Sequence, residues 1–338
     1  MQTESEQRQT TSLLPAQLSR EARNTGTPFD LAAVVRWRVN RSAVERQAAA
    51  LPVRRRLTGA WRIAWLLRAV TWVDLTTLAG DDTPGAVRQL CARARQPLRL
   101  DLLEALDATG LGIRVAAVCV YPRLVPVALE ALAGAPIAVA TVAAGFPAGQ
   151  TTLADRVHEV ESAVRLGAHE VDVVIARALV LNEEWRALYE ELRALKQAAG
   201  PAWLKVILAT GELGSLTHVA RASEVALQAG ADFLKTSTGK EAVNATLPAG
   251  LVMARVIREF AARTGQVVGL KPAGGIRTAQ QALDWLVLVK EELGERWLHA
   301  DRFRLGASTL LDDLERHLAH ERTGLAASFP SMPHARPA

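Results

Sequence analysis

Eight short β-rich runs, separated by longer helix-like segments, constrain this chain more than any other feature. The runs are TWVDL (71–75), VAAVCVY (115–121), IAVATVA (137–143), EVDVVI (170–175), WLKVIL (203–208), DFLKTS (232–237), VVGLK (267–271) and FRLGA (303–307). Most are nearly continuous in apolar character, as parallel strands must be when helices cover both faces. The intervening segments, such as TLADRVHEVESAVRLG and NEEWRALYEELRALKQAAG, carry helical periodicity, and Gly167, Gly200, Gly230 and Gly265 stand where left-handed caps would end helices. Strand then helix, eight times over about 250 residues, predicts an α/β chain folded as a (β/α)8 TIM barrel over residues 61–320. A doubly wound open sheet is the structural alternative, but its G-x-G-x-x-G after the first strand is missing.

The flanks read differently. Residues 1–60 form a basic N-terminal extension, helical in part and flexible in part. Up to about residue 28 it is rich in Gln, Ser and Thr and holds Pro15 and Pro28, which predicts flexibility; residues 29–51 read as one helix with Asp30 near its start. Residues 321–338 form a C-terminal tail. Residues 1–68 carry 12 Arg and 5 acids, net +7, so the remainder, with 28 basic and 30 acidic residues, is net −2. Segments such as RWRVNRSAVER and VRRRL suit a solvated helix face or an acidic partner. They lack the aromatic interleaving of a stacking platform, so a nucleic-acid partner is not expected.

No apolar run approaches the roughly 18 residues that would span a bilayer, and the start MQTESEQRQTTS has no hydrophobic core of a secretory signal. Cys91 and Cys119 lie too far apart in sequence for a metal knuckle or redox pair. These features together predict a cytoplasmic protein without a disulfide framework. The seven His fall in no metal-ligand spacing, so no metal or other cofactor is expected.

Chemistry enters through charged residues inside apolar strands. Lys235 in FLKTSTGK and Lys271 in VVGLKPAGG sit where an ammonium ion is poorly solvated. Such a group tends to lose its proton, and a neutral lysine is a nucleophile. Lys205 is a third strand lysine but comes early in its run, whereas Lys235 and Lys271 precede loops at the end of a barrel that carries substrates. Two such amines close together lower each other's pKa, an arrangement suited to a Schiff base with an aldehyde or ketone. Asp172, an acid among valines, is either a structural partner of a lysine or a proton-transfer group. Asp74 ends up in the same set, with Thr76 beside it. Cys119 reads as a small buried hydrophobe, and His158 and His218 as solvent-facing helix residues.

A phosphate signal accompanies the lysines. GGIRTAQQAL (274–283) offers Gly274, Gly275 and Arg277 before a helix N-terminus, and GASTLLDDL (306–314) repeats the design with Gly306 and Ser308. Phosphate binding after strands seven and eight recurs in this barrel class; the plainer reading is a pair of tight βα turns. Thr238 and Gly239 of TSTGK would hold substrate oxygens, and Lys240 would balance phosphate charge or simply face solvent.

Taken together, these segments resemble the deoxyribose-phosphate aldolase family of class I aldolases. The resemblance runs through DLTTLAGDDT (74–83), AAVCVYPRLV (116–125), VAAGFPAGQTT (142–152), GAHEVDVVI (167–175), LKVILATGEL (204–213), GADFLKTSTGKEAVNAT (230–246), GLKPAGGIRTA (269–279) and FRLGAST (303–309), in order. It implies a cofactor-free enzyme that reversibly cleaves 2-deoxy-D-ribose 5-phosphate to acetaldehyde and D-glyceraldehyde 3-phosphate in deoxyribose phosphate catabolism. The family's Schiff-base lysine falls on Lys235, its second lysine on Lys271, its relay acid on Asp172 and its strand-one acid on Asp74. The implied partner is a small sugar phosphate, with homo-oligomerisation open. Departures are Ala209 where many members carry Glu, Leu270 where many carry Phe, Thr309 for Ser, and Phe329 in a tail without the tyrosine that closes over the site of short members. A transaldolase-like Schiff-base enzyme with a larger donor pocket, and a sugar-phosphate-binding protein acting through its basic arm, are the competing readings.

Overall fold

The computed structural model describes residues 23–55 and 57–323. The first 22 residues of the expected flexible leader, and the tail from 324 onward with Phe329, lie outside the described residues. The eight strands are β1 (Val73–Thr76), β2 (Ala117–Val120), β3 (Ala138–Ala143), β4 (Glu170–Val174), β5 (Trp203–Ile207), β6 (Phe233–Lys235), β7 (Gly269–Lys271) and β8 (Leu305–Ala307). From β1 to β7 each pairs in parallel with its neighbour in sequence, and β8 pairs with β1. Bridges between Leu270 and Phe303 and between Ala273 and Gly306 complete the ring from β7 to β8. Sequential order with closure makes this a TIM barrel and excludes the doubly wound alternative.

The helices start where side chains can replace the missing backbone acceptors. Thr83, Thr152, Ser215, Thr246 and Thr278 each accept the amide three residues on, opening helices at Pro84, Leu153, Leu216, Leu247 and Ala279. All four glycines read as helix stops have positive φ. Strand interiors are almost entirely buried, as two-sided coverage demands.

The extension departs from expectation in two ways. The helix expected over 29–51 is two helices, α1 (Leu31–Val35), capped by Asp30, and α2 (Arg41–Arg54), capped by Asn40. The stretch between spends its donors elsewhere: the Trp37 indole reaches Glu224 and the Val39 amide reaches Thr217, both on the helix Leu216–Gln228. Residues 23–28, expected to be flexible, are anchored to the N-terminal rim of the barrel. Asn24 is fully buried, with Nδ2 donating to the Leu227 and Ala231 carbonyls at 2.8 and 3.0 Å. Val44, Ala48 and Leu51 join the common core, and α3 (Gly59–Thr71) follows directly. The surplus of arginine in this segment meets acids of the barrel, as in Arg36–Glu259, Arg55–Glu291 and Arg62–Glu321. Surface pairs such as Arg36–Glu259 contribute little stability.

Candidate active site

Inward-facing residues of neighbouring strands fall into layers, and the register decides which charges meet. Lys235 on β6 pairs in register with Lys271 on β7, and Asp172 on β4 pairs with Lys205 on β5. Lys205 is opposite Phe233, two residues before Lys235, so it lies one layer deeper in the barrel. Asp172 joins the layers. Its Oδ2 accepts from Lys235 Nζ at 2.8 Å and from Lys271 Nζ at 2.7 Å, while its Oδ1 accepts from Lys205 Nζ at 2.7 Å. Lys271 also donates to Asp74 Oδ2 at 2.5 Å. The four residues singled out in sequence, Asp74, Asp172, Lys235 and Lys271, are therefore in one hydrogen-bonded cluster, all with at most 2% exposure.

Two members of the cluster escaped the sequence reading. Lys205 Nζ lies 2.6 Å from Glu170 Oε2, and Arg304 grips the same carboxylate with Nη1 and Nη2 at 3.1 and 2.8 Å. Glu170 opens EVDVVI and Arg304 sits in FRLGA; only the two-residue step from Asp172 hints that Glu170 shares its face. Burial alone would push the Glu170 carboxyl up, but Arg304 and Lys205 bring it down to about 2. Burial likewise opposes the charge on Asp172, and the three lysines overcome it, holding the carboxyl well below its usual range.

The lysines separate by environment. Burial pulls Lys205 down, yet Asp172, Glu170 and Asp74 outweigh it and keep this amine above its ordinary range. Lys271 is likewise held up against burial by Asp172 and Asp74. Lys235 goes the other way: burial is the larger cause, and the neighbouring Lys271 charge adds to it against the pull of Asp172. The charge count agrees. Four cations face three carboxylates, and a proton lost from Lys235 leaves three against three, the balance a dry interior favours.

Beside the lysines stands a small apolar wall of Leu78, Cys119, Ala140 and Val142, with Tyr121 and Phe146 packed on it. Cys119 is buried and its thiol is pushed up to about 12, chiefly by burial, so it behaves as the small hydrophobe the sequence suggested. Of the two helix histidines, His218 is not simply solvent-facing: its Nδ1 is 2.8 Å from the Leu213 carbonyl.

Loops after β6, β7 and β8 converge above this cluster. A Cβ built on Gly239 would lie 4.0 Å from Gly274 Cα, and one on Gly306 would meet Ala273 Cβ at 2.7 Å and Lys271 Cε at 3.1 Å. Gly274 and Gly275 both take φ near 80°, conformations that side-chain-bearing residues resist. The Gly274 amide faces the Gly306 carbonyl in the bridge between Ala273 and Gly306, and among the described residues no acceptor takes the amides of Gly275 or Ser308. Arg277 and Ser308 are exposed.

Other expected donors are already engaged. The amides of Arg277 and Thr278 go to Gln281 Oε1 and that of Ala279 to Asp313, so the start of the helix Ala279–Glu292 offers less than its sequence promised. Those of Thr238 and Gly239 go to the Glu241 carboxylate. Lys240 Nζ reaches across the mouth to the Leu78 carbonyl at 2.9 Å, and Thr76 Oγ1 donates to the Asp74 carbonyl at 2.9 Å. Among the described residues no three His, Cys, Asp or Glu side chains are grouped to hold a metal ion.

A closed parallel barrel with perturbed charged groups at the C-terminal ends of its strands defines a class, the TIM-barrel enzymes that build their sites at that face. Within that class, residues 68–316 match the DeoC/LacD family aldolase model, and the chain belongs to this family of aldolases. It is 54% identical over 314 residues to the human deoxyribose-phosphate aldolase, covering 92% of this chain and 99% of that one. A crystal structure of a putative deoxyribose-phosphate aldolase from Toxoplasma gondii superposes with a TM-score of 0.64 at 25% identity, over 80% of this chain and 98% of that one. The tetrameric deoxyribose phosphate aldolase from Aeropyrum pernix shares the fold, with a TM-score of 0.56 at 22% identity, over 78% of this chain and 98% of that one.

Proposed function

We propose that this aldolase cleaves 2-deoxy-D-ribose 5-phosphate reversibly to acetaldehyde and D-glyceraldehyde 3-phosphate through a Schiff base on Lys235. The observation that carries the reading is the different fate of three buried lysines around one carboxylate: Lys205 and Lys271 are held charged, and Lys235 is released towards the neutral amine. In the cleavage direction the Lys235 amine adds to the substrate aldehyde and water leaves, giving an iminium. The bond between C2 and C3 then breaks as the C3 hydroxyl gives up its proton, the electron pair passing into the iminium to form an enamine. Glyceraldehyde 3-phosphate departs. Protonation of the enamine carbon and addition of water return acetaldehyde and the free amine.

Asp172 and Lys271 are the proposed proton carriers, because both hydrogen-bond in the same chain as Lys235. Asp74 Oδ1 has no hydrogen-bond partner among the described residues, which suits it to receive a substrate hydroxyl. The wall of Leu78, Cys119, Ala140 and Val142 suits a two-carbon donor better than the larger donor of a transaldolase-like enzyme. The phosphate would rest on Gly274, Gly275, Gly306 and Ser308 with Arg277, on the side where Gly239, Thr238 and Lys240 close the mouth; Thr76 would line the same entrance.

The tetrameric relative motivates a homo-oligomeric assembly, to be read from the mass in solution. Two buried, unpaired cysteines suit a reducing compartment such as the cytoplasm, and catabolism of deoxyribose phosphate is the proposed setting. No described helix is long and apolar enough to cross a membrane. The test of the chemistry is to incubate the protein with acetaldehyde and borohydride and locate the reduced adduct by peptide mass. The expected adduct is on Lys235; folded protein that carries none there would overturn the mechanism.

A further inference from the structure

Half of the proposed anion cradle is already filled by the protein. Thr238 N donates to Glu241 Oε1 and Oε2 at 2.9 and 3.1 Å, and Gly239 N donates to Oε2 at 3.1 Å. Glu241 is only 8% exposed. Its nearest cation is Arg177, whose Nη2 is 3.7 Å from Oε1. That guanidinium also forms an ion pair with Glu212 at 2.5 Å and donates to the Ala148 and Pro147 carbonyls at 2.6 and 3.1 Å, so Glu241 is its longest contact. The adjacent lysine, Lys240, points away to Leu78. A buried carboxylate thus takes its closest contacts from two neutral amides, the donor type an incoming phosphate uses.

The filled half abuts the open one. Gly239 packs on Gly274, and Gly274 packs on Asn244, whose Nδ2 donates to the Glu241 carbonyl at 2.8 Å. A phosphate seated on the open amides of Gly275 and Ser308, beside Gly274, would therefore meet the Glu241 carboxylate, and two anions repel strongly where water is scarce. Arg177 gives the carboxylate a place to turn.

We propose that Glu241 sets the phosphate affinity of this site, as a resident anion that a phosphate monoester must displace towards Arg177. The idea rests on the sugar-phosphate reading of this site and deepens it. A dianion that also engages the open amides can drive the exchange; a monoanion with fewer contacts cannot.

The test uses the full chain carrying Glu241→Gln or Glu241→Ala. Both variants should bind inorganic phosphate about tenfold more tightly in calorimetric titration, equivalent to ~1.4 kcal/mol. In both, kcat/KM for 2-deoxyribose 5-phosphate relative to unphosphorylated 2-deoxyribose should rise by a similar factor, through a lower KM for the phosphorylated sugar. Phosphate affinity unchanged or weakened in both variants overturns the proposal, because Glu241 would then only shape or support the loop. Acetaldehyde trapping on Lys235 separates the two levels: wild-type protein that fails to trap loses the aldolase mechanism, while the phosphate titration still decides the role of Glu241.

Discussion

The two ends of β6 carry two buried carboxylate–lysine clusters that look alike in charge and differ in surroundings. At the N-terminal end, Asp232 accepts from Lys196 Nζ at 2.7 Å, from the Leu204 amide at 2.8 Å, and from Arg23 and the Asn24 amide of the extension. Lys235 and its Asp172 contact lie at the other end. Lys196 and Lys235 are both pulled below the ordinary lysine range, in each case mainly by burial, against an attracting aspartate and with a neighbouring cation adding to the depression. A perturbed amine is therefore not enough to mark a nucleophile. Lys196 is on the outer helix Trp185–Ala199, and its cluster ties the extension to the N-terminal rim. Lys235 sits at the strand end where this barrel class builds its sites, beside an apolar wall and the open glycine loops.

The sharpest way to break this comparison is to remove each lysine. Lys235→Ala should lose borohydride-trapped acetaldehyde and at least about 10³-fold in kcat. Lys196→Ala should keep the adduct on Lys235, measured by the same peptide mapping. Equal loss in both would erase the distinction between the two ends.

Removing the carboxylates comes next. Asp172→Asn leaves buried ammonium groups under-compensated and should cost about 3–5 kcal/mol in denaturant unfolding, with kcat down about 10²-fold. Asp232→Asn should cost a similar stability, yet the folded fraction should keep kcat within about twofold. A catalytic loss at Asp232 as large as that at Asp172 would move the functional boundary to the whole strand.

The pH dependence sharpens the electrostatic part. A lowered pKa means that the Lys235 amine is free at a pH where an ordinary lysine, near 10.5, is still charged. The trapping rate should therefore rise with pH through a midpoint below 10.5. Lys271→Met removes the like charge and should move that midpoint upward. For stability the sign is the same for Lys235 and Lys196: between the lowered folded pKa and 10.5 the unfolded chain holds a proton the folded chain has released, so their contribution to stability rises with pH across that window.

The smallest effect belongs to the extension. Asn24→Ala strands the Leu227 and Ala231 carbonyls and should lower stability by about 1–3 kcal/mol without changing the pH midpoint of trapping. A thermal melt with unchanged midpoint temperature would return residues 23–28 to the flexible leader expected from their composition.

Legibility followed burial pattern. The strands were readable because a parallel strand covered on both faces must be apolar along its length, and Asp172, Lys235 and Lys271 stood out against that background. The charges of Glu170 and Arg304 sit near the beginnings of their runs, where polar residues are ordinary, so their joining with Lys205 could not be read. Glu241 follows TSTGK as any surface acid might; its position two and three residues beyond the amides it accepts was the available signal. The single helix expected over 29–51 failed because periodicity does not reveal that Trp37 and Val39 find acceptors on a distant helix.

By itself the sequence determined the barrel, its order of strands and helices, and the presence of lysines in apolar strands, because these depend on local periodicity and on the cost of burying charge. Only the tertiary structure decided which charge meets which. Register sets Lys205 one layer below Lys235, closure of β8 on β1 brings Arg304 against Glu170, and loop geometry puts Glu241 on the amides of Thr238 and Gly239. Electrostatic energies fall steeply with distance and depend on burial, so the same residues acquire different protonation states and roles once folding has fixed their neighbours.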